Sequence, residues 1–421
     1  MLRVDYDFAI LDFFDDSDEA TTLRRGWIGS VLRGFRDDRP EDDTVDRWVR
    51  HYRTDRVVVR GAWLPAGEFG AGPMPVATYA SLDKTLNAGR ELVPLRMITD
   101  VTTSASHRRQ GLLRRLIEDD LADAVAQGVP IAALTASEAT IYGRWGFGPA
   151  TFRQKVEVDT SPGFELRSFT DPGRVELIEP KDAWPHVKAV FDTFHARQRG
   201  SVEWPSPYED IHSGTFDFNS GGADRKVRAA VHLDADGGVD GFVVFKHGED
   251  YSIKVAEMVA LTADAQLGLW SFLAQMDRIK TITHGIAHPE DPLAWALTDL
   301  NRVKTTEIQE FLWLRILDVP RALAARPWAQ DGTVVLEVDD PQGHAAGRFE
   351  VTTCGGVATV SPTQQEPDVR VTAETLGSLY LSGVPVQQLR RAGRVGGSDE
   401  AVRRFASMAD LSEPPYCLTG F

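Results

Sequence analysis

One position divides this sequence into two different hydrophobic patterns, and this division constrains the fold more than any other feature. Residues 91–103 (ELVPLRMITDVTT) are rich in β-prone side chains, whereas after Gly111 the apolar residues recur at helical spacing and stop near Gln127-Gly128, where a glycine marks a helix end. Residues 131–135 return to a strand pattern. A strand, a crossover helix and a further strand are typical of an α/β or α+β domain, which we therefore predict here.

The glycine lies in a loop between the predicted strand and helix, and this geometry suits an anion. The first backbone amides of a helix have no intrahelical acceptor, and the helix dipole adds partial positive charge. A glycine at position 111 lets a phosphate approach the backbone without a Cβ in the way. Further positive charge comes from Arg108, Arg109 and Arg114. From the residues alone, this segment can be either a phosphate site or a solvated basic start of a helix.

The length of 421 residues predicts two to four domains, and three is the best single estimate. Residues 21–53 are expected to form two helices separated by the polar stretch 37–44, and a boundary rich in Ser, Pro and Gly follows at 159–180. A second segment repeats the order of strand and helix at 251–278. A third segment opens around Phe311, with strands expected at 333–338, 347–353 and 356–360 and helices at 372–381 and 399–408.

Charge and cysteine content narrow the classes of partner. Lys and Arg number 46 against 62 Asp and Glu, and the net charge of −16 argues against nucleic acid or an anionic membrane and favours cationic ligands. Cys354 and Cys417 are the only cysteines, which excludes a disulfide framework and a thiolate zinc site and fits a reducing compartment. The first residues lack a signal-peptide pattern, and no apolar run approaches ~18 residues. We therefore expect a cytoplasmic protein without a membrane span.

No metal site is predicted. His284 and His288 are four residues apart, but no acidic residue stands between them and Pro289 follows, which disfavours a zinc-binding helix.

Residues 108–113 (RRQGLL) resemble the R/Q-x-x-G-x-G/A pyrophosphate loop of the GNAT superfamily of N-acetyltransferases, and a V-x-V-like strand (VTT, 101–103) precedes them. Together with ASEATIYGRWGFGPAT at 136–151 and a plan of three segments ending in Phe421, they resemble the Eis (enhanced intracellular survival) family, actinobacterial GNAT enzymes that acetylate amines using acetyl-CoA. The likeness covers the entire chain. Thr103 departs from it, because valine is usual there.

The resemblance implies a fold of class α+β (α/β) with a GNAT domain at 1–157, a degenerate GNAT-like domain at 158–308, and a sterol-carrier-protein-like domain at 309–421. The central segment VALTADAQLGL (259–269) has no arginine, and Asp264 stands where a phosphate would lie, so no acetyl-CoA is expected there. The resemblance also implies a homo-oligomer, a homohexamer.

By the same resemblance, three groups of residues bind acetyl-CoA. The strand that receives the pantetheine and the acetyl carbonyl contains Val101, Thr102 and Thr103. The pyrophosphate loop contains Arg108, Arg109, Gln110, Gly111, Leu112, Leu113 and Arg114. The far side of the cofactor contacts Ser137 and Glu138.

The resemblance further assigns the two proton transfers. Tyr142 is expected to protonate the leaving sulfur as general acid, and the terminal carboxylate of Phe421 to take the proton of the amine as general base. Judged by the residues alone, Tyr142 can equally be a packed aromatic and Phe421 a frayed terminus.

The acceptor side is expected on the two N-terminal helices, where acidic and aromatic residues alternate. Such a surface attracts polycationic amines, an aminoglycoside-like compound or a lysine side chain, and the candidates are Trp48, Asp38 and Asp46. A solvated acidic turn with core tryptophans is the alternative. A rival function is a lipid-binding or scaffolding protein whose GNAT loop is vestigial.

Overall fold

A computed structural model describes residues 5–136, 139–218 and 221–421. The N-terminal part of the chain alternates strands and helices as predicted. Its elements are β1 (Asp7–Leu11), α1 (Asp18–Phe35), α2 (Asp42–Thr54), β2 (Val58–Trp63), β3 (Ala77–Asn87), β4 (Leu92–Thr103), α3 (Leu112–Ala126), β5 (Ile131–Thr135), α4 (Ala139–Tyr142) and β6 (Gly148–Pro149).

The central part contains β7 (Phe152–Asp159), β8 (Arg174–Ile178), α5 (Pro180–Arg197), α6 (Pro207–Ser213), β9 (Val227–Leu233), β10 (Val239–His247), β11 (Ser252–Ala260), α7 (Ala263–Ala274), β12 (Thr281–Ala287), α8 (Leu293–Ala296) and β13 (Val303–Glu310). The C-terminal part contains β14 (Leu312–Ile316), α9 (Val319–Ala325), β15 (Gly332–Asp339), β16 (Gly347–Cys354), β17 (Val357–Pro362), β18 (Val369–Thr372), α10 (Ala373–Tyr380), α11 (Val386–Arg391), β19 (Gly396–Gly397) and α12 (Asp399–Ala409).

The strands form sheets in the orders β1-β2-β3-β4-β5-β14-β6, β13-β7-β12-β11-β10-β9-β8 and β17-β16-β15-β18-β19. Both faces of the first sheet are covered by apolar residues, as strand β5 illustrates. Ala132 and Leu134 pack in the apolar cluster of α3, whereas Ile131 and Ala133 pack in a cluster shared with the C-terminal part. Because successive side chains of a strand point to opposite faces, the two layers hold β5 in place from both sides.

Two strands pair with sheets outside the domains to which the predicted boundaries at 157/158 and 308/309 assign them. Strand β7, assigned to the first domain, pairs antiparallel with β12 and β13 of the second sheet. Strand β14, assigned to the third, pairs with β5 and β6 of the first sheet. All residues of β14 are buried, so this strand needs a covered position between two neighbours and not an edge. The second sheet thus gains a strand from the first predicted domain, and the first sheet gains a strand from the third.

Helix α1 begins where local rules place it. The Ser17 side chain accepts a hydrogen bond from the amide of Ala20 (3.2 Å), and two acidic residues occupy the first turn. Its buried face includes Trp27, Ile28 and Val31, which pack with Tyr52 of α2. The predicted pair of helices with a polar break is therefore confirmed.

Candidate active site

Strands β4 and β5 open into a wedge at their carboxyl ends. They are parallel, and their pairing covers Leu95 with Ile131, Arg96 with Ala132 and Met97 with Ala133. Strand β4 nevertheless runs on to Thr103 and β5 to Thr135, so six residues of one strand and two of the other continue past the last pair. Residues 101–103, the predicted acetyl-CoA strand, are therefore not paired with β5.

A bulge bends β4 at this point. The register with β3 shifts between Thr78 and Ala80, and Asp100 has a φ of 52°, in the left-handed region that is rare for residues other than glycine. Thr78 Oγ1 donates to the carbonyl of Asp100 at 2.7 Å and lies 2.6 Å from Thr102 Oγ1. These contacts fix the bent segment, in which Val101, Thr102 and Thr103 are all half-buried.

The loop after β4 has the geometry that the sequence predicted. Gly111 is the N-cap of α3 with φ 80° and ψ 7°, and a Cβ built on it would meet no described atom within 4 Å. Arg115 N donates to Gly111 O at 3.2 Å as the first bond of the helix, so the amides of Leu112, Leu113 and Arg114 precede the helical ladder. Three arginines of this segment, Arg108, Arg109 and Arg114, are exposed around the loop, whereas Leu112 is buried and anchors it.

Buried charges fix α3 to the sheet, and they were not predicted from the sequence. Asp120 is completely buried and accepts hydrogen bonds from Arg60 (2.8 Å), Arg96 (2.9 Å), Tyr79 (2.9 Å) and Ser81 (2.7 Å). Burial, and next the charge of Asp120, hold the pKa of Tyr79 well above its ordinary value. Arginines within otherwise apolar strands were the available sequence signal for this cluster.

Tyr142 ends α4 and is buried. Its ring lies 6.2 Å from that of Trp145 and 6.3 Å from that of Phe147, measured between centroids. The same apolar cluster contains Leu112 of α3 and Leu134 of β5, so Tyr142 lies at the end of the sheet where the wedge opens. Ser137 and Glu138, which were predicted to contact the cofactor, lie outside the described residues.

The C-terminal segment reaches this wedge along a fixed path. The Tyr416 amide donates to Arg199 O (2.9 Å), Thr419 Oγ1 donates to Val202 O (2.5 Å), and the Gly420 amide donates to the Tyr208 hydroxyl (2.8 Å).

At the end of this path, Thr135 Oγ1 donates to the main-chain oxygen of Phe421 at 2.5 Å. Thr135 is the last residue of β5, and residues 415–419 are buried. Phe421 is therefore held at the wedge and is not frayed.

The central sheet has a similar wedge, and the C-terminal segment packs into it. Strands β11 and β12 are parallel and pair only from Ser252 with Thr281 to Val255 with His284. Beyond this point Tyr416 and Leu418 share an apolar cluster with residues of both strands, and the Tyr416 hydroxyl donates to Ile286 O. At the start of α7 the Thr262 side chain accepts from the Ala265 amide (3.1 Å), with Asp264 beside it.

The predicted acceptor residues are only partly brought together. Asp38 lines a cavity of about 110 Å³ together with Phe218, which belongs to the central part of the chain. Trp48 is half-buried, with its ring 6.2 Å from that of Phe218 and 6.1 Å from that of Tyr52. Asp46 is exposed on α2 and does not line this cavity.

Two other acidic residues of α2 form ion pairs, and a buried acidic residue of α6 ties α2 to the central domain. Asp42 pairs with Arg25, and Asp43 pairs with Arg47 at 3.1 Å. Asp210 of α6, which is buried, lies 3.2 Å from Arg47 and 2.8 Å from His51, and thereby ties α2 to the central domain. Neither Asp210 nor Phe218 was singled out from the sequence, because both lie far from α2 along the chain.

In the part of the chain that the structure describes, no group of three His, Cys, Asp or Glu side chains is placed to hold a metal ion. His284 is buried beside Trp270, and burial lowers the pKa of this histidine to about 4. None of the helices in the described ranges is long and apolar enough to span a bilayer.

Comparison with known proteins agrees with this architecture. Residues 23–150 and 199–316 each match the acetyltransferase (GNAT) domain, and residues 319–418 match the sterol carrier protein domain. The chain is 34% identical over 409 residues to an uncharacterized N-acetyltransferase of Streptomyces griseus subsp. griseus, covering 93% of this chain and 95% of that relative. It is 32% identical over 390 residues to the N-acetyltransferase Eis of Mycobacterium tuberculosis, covering 89% and 91%.

Among solved structures, Eis1 from Mycobacterium abscessus superposes with a TM-score of 0.75 at 28% sequence identity, covering 86% of this chain and 90% of that one. The two GNAT domains with their open wedge define an N-acetyltransferase, which implies the use of acetyl-CoA. The similarity to relatives along almost the whole chain is more specific. The chain belongs to the Eis family of N-acetyltransferases.

The predicted fold class and enzyme class are thus confirmed: a mixed α/β chain with an N-terminal GNAT domain, a central GNAT domain and a C-terminal sterol carrier protein domain. Its relatives suggest an amine as the acceptor. The alternative of a lipid-binding or scaffolding protein with a vestigial GNAT loop does not agree with the N-acetyltransferase class that these relatives define.

Proposed function

We propose that the N-terminal domain transfers the acetyl group of acetyl-CoA to an amino group of a polycationic acceptor by direct attack. The observation that carries this proposal is the wedge between β4 and β5 with the Gly111 loop beside it. A wedge exposes backbone groups that can hydrogen-bond an extended pantetheine arm, and a helix start with free amides suits a pyrophosphate. The testing experiment is acetyl-CoA turnover, followed by thiol release, with a panel of polyamines.

Residues of this chain then have distinct tasks. Val101, Thr102 and Thr103 receive the pantetheine and orient the acetyl carbonyl, and the segment Arg108 to Arg114 holds the pyrophosphate, with Gln110, Leu112 and Leu113 contributing backbone amides. The central wedge lacks a basic loop and contains the C-terminal segment, which supports a single acetyl-CoA site in the N-terminal domain.

The reaction needs two proton transfers. As the amine nitrogen bonds to the acetyl carbon and the carbon–sulfur bond breaks, the hydroxyl of Tyr142 gives its proton to the sulfur. The carboxylate of Phe421 takes the proton that the amine must lose. The position of Phe421 at the end of β5 supports this role, because β5 forms one side of the wedge.

Loss of the Phe421 carboxylate should lower turnover at neutral pH. We expect deletion of Phe421, or extension with a C-terminal tag, to reduce kcat by roughly ten- to hundred-fold, because an amine that stays protonated cannot attack. Higher pH should partly restore the rate, since more amine is then deprotonated without help. Calorimetry should show unchanged acetyl-CoA binding.

Thr135→Val provides a finer test of the same carboxylate. It removes only the hydroxyl that donates to Phe421, and a several-fold loss of kcat is expected. Wild-type turnover in the tagged protein would assign the base to another residue or to water.

The acceptor is cationic in this proposal, and the surface of Asp38, Asp46 and Trp48 contributes to its attraction. We expect kcat/KM for a polyamine to fall as salt rises from about 0.01 to about 0.15 M, because the Debye length shrinks from about 30 to about 8 Å. A neutral arylamine serves as the control, and its kcat/KM should stay constant. Equal salt dependence for both acceptors would contradict electrostatic attraction.

The assembly, the compartment and the partners complete the proposal. The protein works as a homo-oligomer, a homohexamer, in the cytoplasm, with neither nucleic acid nor a membrane as partner. Sedimentation velocity at micromolar concentration tests the assembly.

A further inference from the structure

Asp100 occupies a special place in the N-terminal domain, at the bend where β4 leaves β5. It lies three residues beyond Met97, the last residue of β4 that pairs with β5, and immediately before Val101. Its left-handed φ and the hydrogen bond from Thr78 to its carbonyl hold its backbone in the bend. Its side chain lies on the side of β4 that faces α2, where it contacts Tyr52.

Its carboxylate is held by one neutral partner. The Tyr52 hydroxyl of α2 donates to Asp100 Oδ2, and within the described residues it is the only hydrogen-bond donor to this carboxylate. No Arg, Lys or His of the described ranges forms an ion pair with it. Asp55 and Asp120, by contrast, are paired with Lys84 (2.8 Å) and with Arg60 and Arg96. Asp100 is thus a half-buried carboxylate whose charge the protein does not balance.

Such a charge is costly unless a cation joins it. Burial raises the pKa of Asp100 to about 6, and the hydrogen bond from Tyr52 opposes this shift. At neutral pH the group is still ionised, so its desolvation remains uncompensated in the free protein. The ring of Tyr52 packs in turn against those of Trp48 and Trp27, with centroids 6.1 and 5.9 Å away. A half-buried carboxylate that no described cation neutralises is a binding environment for an ammonium group.

We propose that Asp100 binds a non-reacting ammonium group of the acceptor and so selects amines that carry a second positive charge near the acetylated nitrogen. The inference rests on the proposed acetyl transfer. Asp100 precedes Val101 by one residue, about 3.8 Å between Cα atoms, and Val101 begins the segment that receives the acetyl group. An amine held as an ammonium ion by a carboxylate is a poor nucleophile, so the group on Asp100 is the neighbour of the one that reacts.

Asp100→Asn tests the proposal with little structural change. Asparagine tolerates a positive φ and still accepts the hydrogen bond from Tyr52. The probes are 1,4-diaminobutane and butylamine, which have the same chain length and differ in one ammonium group. We expect the ratio of kcat/KM for the diamine to that for the monoamine to fall about ten- to hundred-fold in the variant. The loss should lie in the KM for the diamine, with acetyl-CoA affinity within two-fold of wild type.

Asp236→Asn, in the exposed turn between β9 and β10, is the matched control and should keep the wild-type ratio. Tyr52→Phe is the second variant, and a several-fold fall of the ratio is expected because the carboxylate loses its orienting donor. A wild-type ratio in folded Asp100→Asn would overturn the role of Asp100 and leave the proposed acetyl transfer standing. A wild-type ratio in Tyr52→Phe would overturn the orienting role of Tyr52. A wild-type protein that binds no acetyl-CoA and acetylates neither probe would overturn the proposed function as well.

Discussion

Replacing Gly111 by Asp is expected to weaken acetyl-CoA binding by roughly three orders of magnitude. The substitution places a carboxylate at the start of α3, where the proposed pyrophosphate binds. Two unit charges about 4 Å apart interact by about 4 kcal/mol at an effective dielectric constant of about 20, and each ~1.4 kcal/mol changes Kd tenfold. The space around a Cβ at this position is open, so the side chain has room without moving its neighbours. Isothermal titration calorimetry with acetyl-CoA measures the change.

Two control variants separate charge from backbone strain. Gly128 also has a positive φ, 71°, a Cβ added to it would meet no described atom within 4 Å, and it follows the other end of α3. Gly128→Asp should therefore leave acetyl-CoA binding nearly unchanged. Gly111→Asn has the size of the aspartate without its charge and should lose less affinity. If Gly111→Asp binds acetyl-CoA like the wild type while remaining folded, the pyrophosphate does not lie at this loop.

The second large effect is expected for Tyr142→Phe. If the hydroxyl protonates the leaving sulfur, its removal lowers kcat by about 10²- to 10⁴-fold with a smaller change in KM. The ring itself remains, so its contacts with Trp145 and Phe147 are retained. Steady-state kinetics with one polyamine and saturating acetyl-CoA measure the loss.

Tyr380→Phe is the matched control for this experiment. Tyr380 is also a buried tyrosine, and its hydroxyl donates to Ala322 O at 3.1 Å in the C-terminal domain. Its removal should cost about 1 kcal/mol of stability and leave kcat unchanged. Wild-type turnover in Tyr142→Phe, together with a similar loss of stability, would make Tyr142 a core residue.

Local features of the fold were predictable from the sequence. Helix α3 follows from the spacing of its apolar residues, and Gly111 and Gly128 mark its ends because both adopt positive φ. The loop between β4 and α3 was also predictable, because its glycine and its backbone amides are neighbours along the chain.

Features that depend on distant pairing were not predictable. The pairing of β7 with the second sheet and of β14 with the first joins strands that are more than 100 residues apart. No local pattern encodes which strand another will join. The short strand β1 and helix α5 were also missed. Asp100 lies directly before the predicted acetyl-CoA strand. Its hydrogen-bond donor, however, is Tyr52, a residue of a separate helix, and this contact could not be read from the local sequence.

Because of the path of the C-terminal segment, the rate of turnover should depend on how the N-terminal and central domains are aligned. Tyr416, Thr419 and Gly420 are hydrogen-bonded to residues of the central domain, namely Arg199, Val202, Tyr208 and Ile286, whereas Phe421 is hydrogen-bonded to β5. If the carboxyl group of Phe421 is the base, as proposed, a displacement of about 1 Å between the domains would shift it by a similar distance, and a misplacement of this size can cost 10²-fold in rate. A mutagenesis screen for inactive variants should therefore return substitutions in the core of the central domain, which would be mistaken for catalytic residues.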